Sequence, residues 1–312
     1  MMDGDGRMKI GCHVLQWGMG IDKKTRYTWD GRVWNTSLEQ ALDDIASLGF
    51  EGFDCESSDL ALYATRPAAF VKMVTKRNLK YGSTWYTLFP KKLDPTAKMT
   101  VNPDIPMSDP GQFLPLSISD FSDADVAKDL GEMMEHAKLM HKLGASEIIL
   151  GGPFFDRRHI QERHFRTLGT YLSDLSDKLL KEFGMKTALH HHLGTLVQDS
   201  ADLERLYQYA DKKIVGLCLD SAHAAAAGED PVKFTRKYAS RVVHTHLKDM
   251  SSDGRFVELG KGELDLRGVL VALNDAGYKG WVMAELDVPA RSPIESARIS
   301  KKFLDGAMRR LS

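Results

Sequence analysis

Apolar residues recur along this chain in two alternating rhythms. Short apolar or β-branched runs occupy Lys9–Val14, Gly52–Cys55, Tyr81–Trp85, Glu147–Leu150, Thr187–His190, Val215–Leu219, Val242–His246 and Trp281–Glu285. Between them lie segments whose apolar positions repeat every three or four residues, the spacing that gives a helix one apolar face. In SLEQALDDIASLG that stripe is Leu38, Ala41, Leu42, Ile45 and Leu48. DVAKDLGEMMEHAKLMHKLG, DLERLYQYA, DLRGVLVALNDAG and IESARISKKFL behave alike. Gly49, Gly144, Gly184 and Gly277 stand where several of these helices should close, and a left-handed cap favours glycine there. Strands that alternate with helices must run parallel, because each return to the sheet needs a crossover. Eight such units in roughly 250 residues predict a single (β/α)₈ TIM barrel over residues 1–312. The rival is a doubly wound open sheet, but GCHVLQWGMG lacks the GxGxxG phosphate turn expected after its first strand.

One segment follows neither rhythm. FPKKLDPTAKMTVNPDIPMSDPGQFLPLSISD, residues 89–120, holds six of the 11 prolines. It comes after the third strand, so in a barrel it emerges on the face that carries active sites. It is expected to be a surface excursion, a subunit contact in a homo-oligomer, or a lid that keeps water from a pocket.

Composition narrows the class. Hydrophobic residues make up 43% and charged residues 27%, as in soluble globular proteins. The net charge of −1 argues against nucleic-acid binding, which needs a basic surface to displace counterions. No apolar run reaches the roughly 18 residues of a membrane span, and MMDGDGRMKIG has no signal-peptide core. Cys12, Cys55 and Cys218 are odd in number, far apart and set in apolar segments. They read as core residues of a reducing compartment, so a cytoplasmic protein is expected.

The polar residues hardest to explain cluster at the C-terminal ends of the predicted strands. These are Asp54 and Glu56, the triplet His190, His191 and His192, Asp220 and His223, then His244, His246, Lys248 and Asp249, and finally Glu285 and Asp287. Side chains alternate faces along a strand, so His190 and His192 should share a face and His191 should oppose it. By the same rule His244, His246 and Lys248 share a face. Taken singly, each is most simply a hydrogen-bonded core or surface residue. His244 lies deeper than His246 and is expected to fill the barrel or support its neighbour, and Glu147 opens its strand at the opposite face and reads as structural. Taken together, burying so many ionisable groups without a cation would cost several kcal/mol apiece. Two imidazoles and two carboxylates would balance a divalent ion, with Mn²⁺ first and Co²⁺, Zn²⁺ or Fe²⁺ as alternatives to harder cations.

The motifs HHHLGT, LDSAHAAAAGEDP, RVVHTHLKD, GKGELD and YKGWVMAELD resemble the xylose-isomerase-like TIM-barrel superfamily of sugar isomerases and epimerases, and within it the keto-inositol (inosose) dehydratases. The likeness is close over the C-terminal half and extends to the N-terminal half only in strand rhythm. It implies a divalent metal held by Asp220, His246 and Glu285. Where many of the epimerases carry a Glu on strand five, this chain has His190. Either His190 ligates, or three protein ligands share the ion with water and substrate.

The resemblance implies elimination of water from a keto-sugar or keto-cyclitol. In that reading His192 is the general base, Lys248 holds an enolate oxygen or helps the hydroxyl leave, and His223 binds or protonates a substrate hydroxyl. His13, Trp17, Asp54, Glu56, Trp85, Tyr86 and Asp287 would complete the substrate cup. Three alternatives stand beside it: an isomerase or epimerase using the same metal, a lyase eliminating from 3-keto glycosides, and a sugar-binding barrel without catalysis.

Overall fold

The structure is a computed structural model that describes residues 6–20, 22–89, 105–106 and 108–311. Its centre is a closed barrel of eight parallel strands in sequence order. They are β1 (Lys9–His13), β2 (Gly52–Glu56), β3 (Lys80–Thr87), β4 (Glu147–Gly151), β5 (Lys186–His190), β6 (Val215–Asp220), β7 (Val242–Leu247) and β8 (Trp281–Ala284). The barrel closes where β1 pairs with β2 through Gly11 and Gly52 and with β8 through Cys12 and Ala284. The predicted fold is therefore the observed one, with strand ends shifted by one or two residues.

The helices form for the reasons their pattern suggests. Ser37 caps Leu38–Ser47 by accepting from the Gln40 amide, while the Gln40 side chain accepts from the Ser37 amide. Leu38, Ala41, Leu42 and Ile45 of that helix are buried against the barrel, each larger side chain contributing about 1.5–3 kcal/mol. Gly49, Gly144, Gly184 and Gly277 all take positive φ, from 64° to 92°, as a left-handed helix end requires. Cys12, Cys55 and Cys218 are free and buried. No helix among the described residues is long and apolar enough to cross a membrane.

Two small sheets escaped the rhythm because their strands are two residues long. Met19–Gly20, Arg26–Tyr27 and Val33–Trp34 form an antiparallel sheet between β1 and the first helix. Buried Arg26 ties it to the barrel top, donating Nη1 and Nη2 to Asp59 at 2.5 and 3.0 Å. Asp249–Met250 pairs with Phe256–Val257 after β7. There the buried Asp249 carboxylate accepts from the amides of Gly260, Gly262 and Leu264, which explains the GKGELD motif as a loop wound on one side chain. Within the Pro-rich excursion, residues 90–104 and 107 lie outside the described residues, so the lid expectation for them does too. Its far end makes a 3₁₀ turn, Pro110–Leu116, that brings Phe113 over the barrel mouth.

Candidate active site

Parallel register carries the strand ends to one level. His190 pairs beside Cys218, His246 beside Asp220, and Leu247 beside Ala284, the residue before Glu285. One donor atom from each of His190, Asp220, His246 and Glu285 lies within 4.8 Å of the others, and all four side chains are buried. Among the described residues, both ring nitrogens of His190, Nδ1 of His246 and Oε2 of Glu285 are buried without a hydrogen-bond partner. His246 Nδ1 nonetheless sits 2.6 Å from Glu285 Oε2, and His190 Nε2 sits 3.4 Å from Asp220 Oδ2. Buried polar atoms left unmade cost about 1–3 kcal/mol each. Nitrogen and carboxylate atoms that converge on one buried centre are those a cation would satisfy. Burial holds the His190 pKa well below its ordinary value, keeping the imidazole neutral with one ring lone pair available. The residues present thus fit a divalent ion of the mixed nitrogen and oxygen class.

The surrounding charges also leave room for a cation. Asp220 spends Oδ1 on the amides of Ala222 and His223, capping Ser221–Ala226, and turns Oδ2 to Lys248 Nζ at 2.9 Å. The same Nζ lies 3.1 Å from Glu285 Oε2 and 3.5 Å from Asp287 Oδ2. One ammonium faces three carboxylates. Burial followed by the charges of Glu285 and Asp220 raises the Asp287 pKa against the pull of Lys248. Burial disfavours the Lys248 ammonium, but Asp220, Asp287 and Glu285 together hold it charged.

The histidines divide by tautomer. His192 lies past the end of β5, and its Nδ1 is 2.7 Å from the Leu193 carbonyl. A carbonyl only accepts, so Nδ1 carries the proton and Nε2 keeps a lone pair. Burial, then Lys248, lowers its pKa to about 4. His223 packs on it with ring centroids 3.7 Å apart, both of its nitrogens buried and unpartnered among the described residues. His191 turns outward instead: its Nε2 accepts from the Asp220 amide and its ring meets Phe234 of the helix layer. His13 accepts from the Leu15 amide at Nδ1, so its Nε2 carries a proton, 3.8 Å from Glu56 Oε1. Burial, with Asp59 and Glu285, raises the Glu56 pKa to about 8.

Not every expected cup residue joins the cluster. Trp85 does, with its ring 4.6 Å from His190 edge-on. Tyr86, next on the strand, faces the other way and packs on His136 of the Asp123–Lys142 helix. Trp17 sits in the 3₁₀ turn after β1, where strand alternation lapses, and donates Nε1 to Asp44 of the helix layer at 2.9 Å. Asp54 lies beneath the quartet, bonded to His244 and His246 rather than open to a substrate.

Sequence reasoning missed the ceiling of the site. Phe113, Phe154, Leu193, Phe256 and Leu286 join an apolar cluster to which loops after seven of the eight strands contribute. Phe113 and Phe154 stand edge-on to His192 at 5.0 and 5.3 Å, and Phe256 meets His223 at 5.1 Å. Single aromatics in irregular loops carry no periodic signal. The strain at Gly194 is the nearest thing to one: its φ is 79°, and any Cβ there would collide with Phe113.

The family model described as xylose isomerase-like TIM barrel matches residues 42–306. The chain belongs to the xylose isomerase-like TIM barrel family. Among relatives of this family-type barrel, a protein of Lacticaseibacillus casei named inosose dehydratase is 26% identical, the alignment covering 87% of this chain and 90% of that one. One of the same name from Clostridium perfringens is 25% identical, over 86% and 89%. The solved structure of the IolI protein with a bound zinc atom superimposes with a TM-score of 0.70 at 16% identity, covering 98% of this chain and 99% of that one. An L-ribulose 3-epimerase gives 0.72 at 14% identity, covering 97% and 95%.

Proposed function

We propose that the protein is a divalent-metal-dependent lyase that removes water from a keto-sugar or keto-cyclitol. The chain is an enzyme of the dehydratase or isomerase/epimerase type, and its relatives named inosose dehydratase favour the first. The observation that carries the proposal is the pairing of two things at one end of the barrel. A nitrogen–oxygen quartet has orphaned donor atoms, and beside it His192 has a tautomer that leaves Nε2 free to accept a proton.

A divalent ion held by His190, Asp220, His246 and Glu285 supplies Lewis-acid polarisation of a carbonyl. The protein's own groups do the rest. His192 Nε2 removes the proton α to the carbonyl, contributing about 10²–10⁴-fold. The Lys248 ammonium, fixed among three carboxylates, donates to the oxygen on which negative charge develops. His223, with both nitrogens unspent, binds the substrate hydroxyl that departs, and Glu56, a carboxylic acid near neutrality, protonates it as the C–O bond breaks. The C–H and C–O bonds are replaced by a C=C bond and one water. The apolar ceiling keeps bulk water from the carbanionic stage.

The decisive experiment incubates the Mn²⁺-loaded protein with a keto-cyclitol in D₂O. The proposal expects an ultraviolet band from the unsaturated product and loss of water. Deuterium incorporation without that band would make the protein an epimerase or isomerase. Neither signal with any candidate keto-sugar would leave a binding barrel.

A further inference from the structure

Barrel interiors are normally filled with layers of branched aliphatic side chains. This one instead carries a file of charged and imidazole groups running from its N-terminal mouth to the quartet. Glu147 opens β4, and its Oε1 accepts from His244 Nδ1 at 2.6 Å. His244 Nε2 donates to Asp54 Oδ2 at 2.6 Å. The same Oδ2 accepts from His246 Nε2 at 3.3 Å. His244, Asp54 and His246 are completely buried, and Glu147 nearly so.

The geometry shows which nitrogen of His246 faces the quartet. A carboxylate only accepts, so Asp54 favours hydrogen on Nε2, 3.3 Å away. Nδ1 points into the quartet, 2.6 Å from Glu285 Oε2, and offers its lone pair to a cation that displaces the proton shared there. Asp54 in turn could swing between rotamers if His246 were its only partner. The second donor, His244, pins the same oxygen, and Glu147 pins His244 from the far side.

Stability alone does not call for such a file. Apolar residues of similar volume in the same space are commonly as stabilising or more so. Glu147, His244 and Asp54 come from three different strands, so the file ties the ligand on β7 to β2 and β4 at once.

We infer that Glu147, His244 and Asp54 are positioning residues that set the tautomer and orientation of His246, and so tune how tightly the quartet holds its metal. The inference rests on the metal reading given above. Partners behind a ligating histidine typically change metal affinity by 10–100-fold.

The test titrates the full-length apoprotein with Co²⁺, following its visible absorption, and records apoprotein unfolding in parallel. Asp54→Asn is expected to weaken Co²⁺ binding about 10–100-fold and to shift the absorption band, while Asp54→Glu recovers part of the affinity. Glu147→Gln, two links further off, is expected to weaken binding by up to about tenfold in a folded protein. If Asp54→Asn fails to fold, Glu147→Gln carries the test alone. Affinity within twofold of the parent in these variants, with only apoprotein stability changed, makes the file a structural plug and overturns the inference while leaving the metal reading intact. A parent protein that binds no divalent ion overturns both.

Discussion

Two layers of the barrel interior, adjacent along the strands, treat buried charge in opposite ways. In the lower layer His244 has a carboxylate oxygen 2.6 Å from each ring nitrogen, and Asp54 Oδ2 takes two donors. In the upper layer both ring nitrogens of His223 and Nδ1 of His190 have no hydrogen-bond partner among the described residues, and His190 Nε2, His246 Nδ1, Glu285 Oε2 and Asp287 Oδ2 meet only ion-pair contacts. The two layers have the same residue types and equal burial. What separates them is how far the protein completes its own bonds: in the lower layer Asp54 Oδ1 is left without a partner among the described residues, in the upper layer many atoms are. Native interiors leave few polar atoms unpaired, so the upper layer is where a partner from outside is expected, and the lower layer is what holds it in place.

Substitutions sharpen or break that contrast. The largest effect belongs to His192→Ala, which should lower turnover by about 10²–10⁴-fold and abolish α-proton exchange with the fold intact. Steady-state rates and deuterium exchange measure it, and a loss of only a few-fold would assign the base elsewhere. Next comes the lower layer: His244→Ala strands two carboxylates and should cost about 3–5 kcal/mol in denaturant unfolding. Saturating the upper layer with Mn²⁺ at a hundred times its dissociation constant should stabilise the protein by about 2.7 kcal/mol, an effect erased by chelator and absent in Glu285→Gln. The smallest effect carries the most diagnostic sign. His190→Leu removes two unsatisfied buried nitrogens and should raise apoprotein stability by about 1–2 kcal/mol while weakening metal binding. If His190→Leu destabilised the apoprotein as His244→Ala does, the two layers would be alike and the contrast would fall.

Much of this was legible in the sequence. Strand rhythm and the capping glycines were enough for the barrel, because each of those signals is local. The meeting of His190, Asp220, His246 and Glu285 followed from their place at strand ends, since a closed parallel barrel brings those ends to one rim. Tyr86 was readable and misread: it follows Trp85 on one strand, and alternation sends neighbours to opposite faces. Trp17 was not readable, because it lies in a 3₁₀ turn where alternation has no hold. The bond from His244 to Asp54 spans 190 positions, and that to Glu147 spans 97. Neither is visible without the inter-strand register. Phe113 lay beyond reach for another reason, since nothing periodic marks a lone ring in a proline-rich loop.

The ceiling over the site is assembled from many loops, each lending one to three residues, whereas the quartet stands on strand ends whose backbone positions the barrel register fixes. Substitutions in those loops are therefore free to reshape the space above the quartet one contact at a time, with the quartet itself untouched. Substrate preference is the evolvable half of the enzyme, and chemistry the inherited half.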